Sequence, residues 1–175
     1  MNEKERNILI TEEEISKRVK ELGAEISKKY LGKKLYVLSL LRGSFIYTAD
    51  LVRAIDIEVK IGFMTTSSYG DSENSSGIVK IVNDIPDDIT GYDVLIVDDI
   101  IDTGITMDFV IKHVKTLNAN SVQCCVLLNK AERRQVPLEP DFCCFDIEDV
   151  FVVGYGLNFG DYYRNVPYIF NWKDL

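Results

Sequence analysis

The chain has 175 residues, with 20 Lys plus Arg against 28 Asp plus Glu for a formal net charge of −8. At 46% hydrophobic and 27% charged it is too apolar for disorder, and its length suits one domain, residues 1–175, that buries a full core without disulfide or metal staples. The acidic balance argues against broad attraction to nucleic acid or an anionic membrane, and no apolar run approaches the ~20 residues a membrane helix needs. The charged opening from Met1 to Asn7 has no apolar stretch of a secretory signal behind it, so a cytoplasmic location is expected. The cysteines stand as two adjacent pairs, Cys124-Cys125 and Cys143-Cys144, inside apolar runs. Strand neighbours point to opposite faces, so neither pair has metal spacing, and all four read as buried free thiols.

Thr11 and Glu14 have the spacing of a capping box. Behind it Ile15, Val19, Leu22, Ile26 and Tyr30 recur every three or four residues, which predicts an amphipathic helix ending near Gly32. Leu35 to Leu41 is a continuous apolar run, as in a central parallel strand. Arg42-Gly43-Ser44 interrupts it, and residues 45–55 resume with helical spacing. Residues 57–63 alternate as a strand does; residues 65–77 have loop chemistry throughout, and residues 78–82 return to strand character. Val94 to Val97 is the cleanest strand core, followed by Asp98-Asp-Ile-Ile-Asp-Thr-Gly104 and a helical run over 107–117. Residues 122–128, 142–145 and 151–153 give three further strands, the first ending at Asn129-Lys130 and a charged loop. Strand and helix alternate, so the fold class is α/β, a parallel sheet flanked by helices, with the two chain ends forming a small hood lobe.

In such sheets ligands collect at the carboxyl ends of the strands. Three strand ends here carry unusual polar groups: Arg42-Gly43-Ser44, Asp98 to Thr106, and Asn129-Lys130. The middle one places two carboxylates at a strand mouth, then hydroxyls and a glycine where free amides open a helix. Those amides and the helix dipole suit one phosphate group, and the carboxylates suit sugar hydroxyls or a magnesium ion held through oxygen. A sugar phosphate fits both halves. Taken alone, Thr103 or Thr106 reads as a helix cap, but three aspartates within five residues of a buried strand need partners.

The segment Val94 to Thr106 resembles the phosphoribosyl-pyrophosphate motif of type I phosphoribosyltransferases. Leu41-Arg-Gly-Ser44, Ser68-Tyr69, Leu128-Asn-Lys130 and Phe151-Val-Val-Gly-Tyr-Gly156 are similar, in order and spacing, to elements of the hypoxanthine (hypoxanthine-guanine) branch. The resemblance implies a Mg2+-dependent transfer of the 5-phosphoribosyl group from its pyrophosphate to N9 of a 6-oxopurine, hypoxanthine and also guanine, in purine salvage. It implies that Asp98 and Asp99 bind the ribose hydroxyls close to the metal, and that Asp102 is the general base for the purine proton. Thr103, Gly104, Ile105 and Thr106, with Asp102, would hold the 5′-phosphate. Arg42, Gly43 and Arg164 would meet the pyrophosphate, with a non-proline cis peptide before Arg42. Lys130 would donate to the 6-oxo group, Phe151 would stack on the ring, and Val152 would offer backbone bonds to the base edge. Ser68 and Tyr69 would belong to a lid, and a homodimer or homotetramer is the expected assembly.

Each of these has a plainer alternative: Lys130 and Arg164 as solvated charges, Phe151 as core, Ser68-Tyr69 as a strand tail. One position departs from the family pattern. Asn158 stands where an aspartate near a second metal is usual, which keeps an oxygen ligand and loses its charge. His113 is the only histidine, late in a helix, where a solvated or dipole-facing role is expected. A nucleic-acid-binding regulator that keeps the pocket would want a basic face, and this acidic chain has none. Within the enzyme class, Lys130 favours a 6-oxo purine over adenine, whose 6-amino group is itself a donor.

Overall fold

A computed structural model of the protein describes residues 7–68 and 79–172. After β1 (Ile8–Ile10), Thr11 caps α1 (Glu12–Lys29) as its spacing requires. The Thr11 hydroxyl accepts from the Glu14 N–H at 3.2 Å, and the Glu14 carboxylate accepts from the Thr11 N–H at 2.8 Å. Ile15, Val19, Leu22 and Ile26 bury as one stripe. Then follow β2 (Leu35–Leu41), α2 (Phe45–Ala54), β3 (Val59–Ser68), β4 (Val79–Asn83), β5 (Asp93–Ile101), α3 (Ile105–Lys115) and β6 (Ser121–Asn129). A single 3-10 turn, Ala131–Arg133, leads to β7 (Phe142–Asp146), β8 (Val152–Val153) and β9 (Ile169–Asn171).

Six strands form the main sheet in the order β4-β3-β2-β5-β6-β7, parallel except for β4 at the edge. Strand periodicity divides the core between its faces. Leu35 and Val37 of β2 and Leu95 and Val97 of β5 join α1 and α2 on one side. Tyr36, Leu38, Val94 and Ile96 join Met107, Val110 and Val114 of α3 on the other. Both faces are covered, which is why β2 and β5 read as unbroken apolar runs. From β2 the chain winds outward to β3, and from β5 the other way to β6 and β7. The reversal leaves a crevice between the carboxyl ends of β2 and β5.

The chain ends form the expected hood, a three-stranded antiparallel sheet in the order β1-β9-β8, with its own cluster of Val153, Val166, Tyr168 and Phe170. The cysteines divide between faces as their adjacency predicts. Cys125 and Cys144 face α1 and α2, where the Tyr47 hydroxyl touches both sulfurs at 3.1 and 3.4 Å; Cys124 and Cys143 face α3.

The structure corrects three readings. Residues 65–68 are strand, not loop, since β3 runs to Ser68 and pairs with β4, Thr66 opposite Ile81 and Ser68 opposite Val79. Hydroxyl-rich composition hid the β-branched character of Thr65 and Thr66. The central strand extends beyond Val97 to Ile101, with Asp98 opposite Val126 and Ile100 opposite Leu128, so the paired carboxylates lie on the ladder itself. Of the four thiols, Cys143 is only half-buried.

Candidate active site

Asp98 and Asp99 are half-buried at the carboxyl end of β5. Asp98 Oδ1 accepts from the Asp99 N–H and Asp99 Oδ1 from the Ile100 N–H, each at 2.9 Å. Burial, reinforced by the neighbouring charge of Asp99, pushes the Asp98 pKa well above the usual carboxylate range. Burial also raises Asp99, while hydrogen bonds and the charge of Arg164 pull it partly back. Two crowded carboxylates that resist ionising together form an oxygen-only donor set, the kind a hard cation prefers.

The β2–α2 loop lies directly against this pair. The Leu41–Arg42 peptide is cis, as the family resemblance implies. A Cβ on Gly43 would overlap the Asp99 carboxylate, which would have to shift to admit one. Ser44 fastens the loop from beneath, its hydroxyl 2.8 Å from that of Ser39 and donating to the Leu40 carbonyl at 2.6 Å. On the hood side, a Cβ on Gly156 would overlap the Gly43 carbonyl. Arg164 is bound to the same turn: its guanidinium donates to the Gly156 carbonyl at 2.6 Å, and the Gly156 N–H donates to the Arg164 carbonyl at 2.9 Å. Gly43 and Arg164 therefore converge around Asp99 from two separate parts of the chain, and Arg42 precedes Gly43 in the same loop.

Beyond β5, Asp102 and Thr103 lead into Gly104, which caps α3 at a left-handed φ of 82°. A Cβ there would stand 2.8 Å from Val136 Cγ2 and 3.0 Å from Arg134 Cδ. The turn opens α3, whose first N–H groups lack intrahelical acceptors, an anion-binding arrangement; the Ile105 N–H reaches the Thr103 hydroxyl at 3.4 Å. Asp102 Oδ1 is buried without a hydrogen bond; its nearest cation is Arg133, with Nε at 3.4 Å.

Lys130 follows β6 and is 6% exposed, which excludes a solvated role. Its ammonium faces Asp149 at 3.7 Å, and Asp149 is also 3.7 Å from Arg133. Asp102, Arg133, Asp149 and Lys130 thus form one chain of alternating charge. Phe151 is 44% exposed, so it is no core residue; its ring meets Phe159 edge-on at 6.0 Å, and Phe159 stacks on Trp172 at 4.0 Å. The Phe151 carbonyl accepts from the Trp172 N–H across the β8–β9 ladder. Alternation along the strand turns the Val152 N–H and C=O the other way, to the open edge of the hood sheet.

Asn158 Nδ2 donates to the Gly160 carbonyl within its own turn. His113 ends up beside Asp84, Nε2 at 2.9 Å from the carboxylate, away from these groups. Ser68 closes β3, and Tyr69 lies outside the described residues. Sequence reasoning missed Arg133, Arg134, Asp149, Phe159 and Trp172. The run Glu132-Arg133-Arg134 right after a strand mouth was the available signal, and it reads as an ordinary charged loop.

A largely parallel sheet whose switch point carries a phosphate-type helix cap and paired carboxylates suits an enzyme that handles a sugar phosphate. The chain belongs to the phosphoribosyltransferase family: the model of the phosphoribosyl transferase domain matches residues 7–160. It is 49% identical over 164 residues to hypoxanthine phosphoribosyltransferase of Buchnera aphidicola subsp. Schizaphis graminum, covering 93% of each chain. It is 45% identical to hypoxanthine-guanine phosphoribosyltransferase of Aquifex aeolicus, covering 98% of this chain and 97% of that one. Among solved structures it superposes on a hypoxanthine phosphoribosyltransferase of Staphylococcus aureus with a TM-score of 0.92 at 39% identity, covering 96% of this chain and 92% of that one.

Proposed function

We propose that this enzyme transfers the 5-phosphoribosyl group of phosphoribosyl pyrophosphate to N9 of hypoxanthine or guanine, releasing pyrophosphate and the purine nucleoside monophosphate. The observation that carries this reading is the nearly buried Lys130 ammonium, linked to Asp102 through Asp149 and Arg133 beside the carboxyl end of β5. A donor for the 6-oxo group is what a 6-oxopurine needs and adenine does not, while an acceptor for the N7 or N9 proton serves any purine that is to bond through N9.

The C1′–pyrophosphate bond breaks and the C1′–N9 bond forms through a ribose carrying positive charge. Positioning and charge stabilisation matter more here than a covalent nucleophile. Asp102 takes the N7 or N9 proton as the purine becomes a glycosidic nitrogen. Lys130 donates to the 6-oxo group, Phe151 stacks on the ring, and the outward backbone groups of Val152 meet the base edge. Amides and hydroxyls from Asp102 to Thr106 hold the 5′-phosphate at the start of α3. Arg42, Gly43 and Arg164 receive the pyrophosphate, while Asp98 and Asp99 hold the ribose hydroxyls.

Asp98 and Asp99 fit a magnesium ion, because buried paired carboxylates with raised pKa gain most from a dication held by oxygen. When bound, magnesium supplies neutralising charge to the leaving pyrophosphate. Among the described residues no three acidic, His or Cys side chains cluster as a cage, which suits a metal held by one or two carboxylates and the substrate's own oxygens. Self-association as a dimer or tetramer is supported by Ile61, Phe63 and Val82, large apolar residues exposed on the adjacent strands β3 and β4. No helix among the described residues is long and apolar enough to cross a membrane, in keeping with a cytoplasmic enzyme. Incubating the protein with phosphoribosyl pyrophosphate, Mg2+ and hypoxanthine or guanine tests the reading; it expects inosine or guanosine monophosphate by mass, and free base left unchanged would refute it.

A further inference from the structure

Arg134 is a charged side chain only 9% exposed, lying beneath the β5–α3 turn. Its guanidinium donates to the Asp102 main-chain carbonyl at 2.6 Å and to the Asn129 side-chain carbonyl. Both acceptors are neutral. Its nearest carboxylate among the described residues is Glu139, 3.9 Å away and 70% exposed, too solvated to neutralise a buried cation. The third kind of donor, Nε, is buried with no hydrogen bond at all. A buried charge so poorly compensated is costly, and the cost persists unless something brings the missing charge.

The place of the guanidinium indicates what that is. The Asp102 carbonyl and the Thr103 N–H belong to one peptide unit, and Gly104, next along, caps α3 directly over the Arg134 stem. A cation bound to the carbonyl end of a peptide polarises its N–H end, making it a stronger donor. The main chain also holds the turn in place, with the Gln135 N–H donating to the Thr103 carbonyl at 2.9 Å and the Lys130 N–H to the Ile101 carbonyl at 3.0 Å.

We propose that Arg134 is the buried counter-charge for the substrate's 5′-phosphate, acting through the Asp102–Thr103 peptide and not by direct contact. It is a positioning residue for a phosphate monoester dianion. The inference rests on the reading of the β5–α3 turn as the 5′-phosphate site.

The test compares dissociation constants for a nucleoside and its 5′-monophosphate, inosine against inosine monophosphate, in the wild type, Arg134→Met and Arg134→Lys. Their ratio isolates the phosphate. The wild type should prefer the monophosphate strongly. Arg134→Met should lower that preference by about 10–100-fold, the range of a charge-assisted hydrogen bond, with inosine affinity nearly unchanged. Arg134→Lys, which keeps the charge, should recover most of it. A general structural defect would weaken both ligands together and leave the ratio alone. If the Met chain does not fold, neutral Arg134→Gln gives the same test with the same expected loss. A preserved ratio in a folded neutral variant overturns the proposal. A wild type that binds inosine as tightly as its monophosphate overturns the phosphate-site reading itself, so the two failures are distinguishable.

Discussion

The β5–α3 turn and the segment that follows β6 lie side by side at the carboxyl ends of neighbouring strands, and they encode their chemistry in different ways. The first carries it in residue types at fixed spacing: Asp98, Asp99, Asp102, Thr103, Gly104 and Thr106 each suit their place whatever surrounds them. The second depends on packing. Arg133 and Arg134 are adjacent and chemically identical, yet one is half exposed beside the Asp102 carboxylate while the other is buried against the Asp102 carbonyl. Composition identifies a site where the side chain itself meets the ligand. It does not identify one where the side chain works through another group.

The largest effect expected from breaking this comparison is at Asp102. Asp102→Asn should reduce kcat about 10²–10⁴-fold, the usual contribution of a general base, with the KM for phosphoribosyl pyrophosphate nearly unchanged. Steady-state kinetics in both substrates checks it. An unchanged kcat removes Asp102 from proton transfer, and a lost donor affinity makes it a binding residue.

In the neighbouring segment, Lys130→Gln should raise the hypoxanthine KM by about 10–100-fold, since it removes a charged donor to the 6-oxo group. The donor-substrate KM should stay constant. Equal rises in both would mean that Lys130 supports the fold of the crevice more than the base, through its contact with Asp149.

Stability sharpens the contrast further. The folded-state pKa of Asp98 lies above its unfolded value, so ionising it costs stability as pH rises through the folded value. Asp98→Asn should therefore raise the melting temperature of the metal-free protein at pH 8, by about 2–4 °C for each kcal/mol of penalty removed. The gain should shrink toward pH 4, where the wild-type carboxyl is protonated. Thermal melts in chelator at the two pH values measure it, and a destabilised variant at pH 8 contradicts the burial account.

The smallest effect is expected at Asn158. Its Nδ2 is committed to the Gly160 carbonyl, a bond that a carboxylate cannot make and would repel. Asn158→Asp should turn outward and lower the magnesium concentration for half-maximal rate severalfold, with the hypoxanthine KM unmoved. Superimposable magnesium titrations would place the side chain away from the metal.

Most of the fold was legible because buried parallel strands announce themselves as apolar runs and α1 carries a full capping box. What failed was local. Thr65 to Ser68 read as loop, since hydroxyl residues serve turns and edge ladders alike. The strand through Asp98 and Asp99 read as ended, since carboxylates rarely occupy a buried ladder unless a ligand needs them. Within the site, Lys130 and Phe151 were legible only through their order relative to the turn. Phe159 and Trp172, which back Phe151, meet it through the β8–β9 pairing and have no sequence signature of their own.

The claim that joins both segments is that Lys130, set beside the proton acceptor Asp102, selects a 6-oxopurine. The most direct test is kcat/KM for hypoxanthine and for adenine, measured with phosphoribosyl pyrophosphate and Mg2+ in one spectrophotometric assay. A preference for hypoxanthine of at least about 10³-fold is predicted, because adenine would set its 6-amino donor against the buried Lys130 ammonium, two donors that cannot bond to each other. Comparable values for the two bases, or a preference for adenine, would contradict the account.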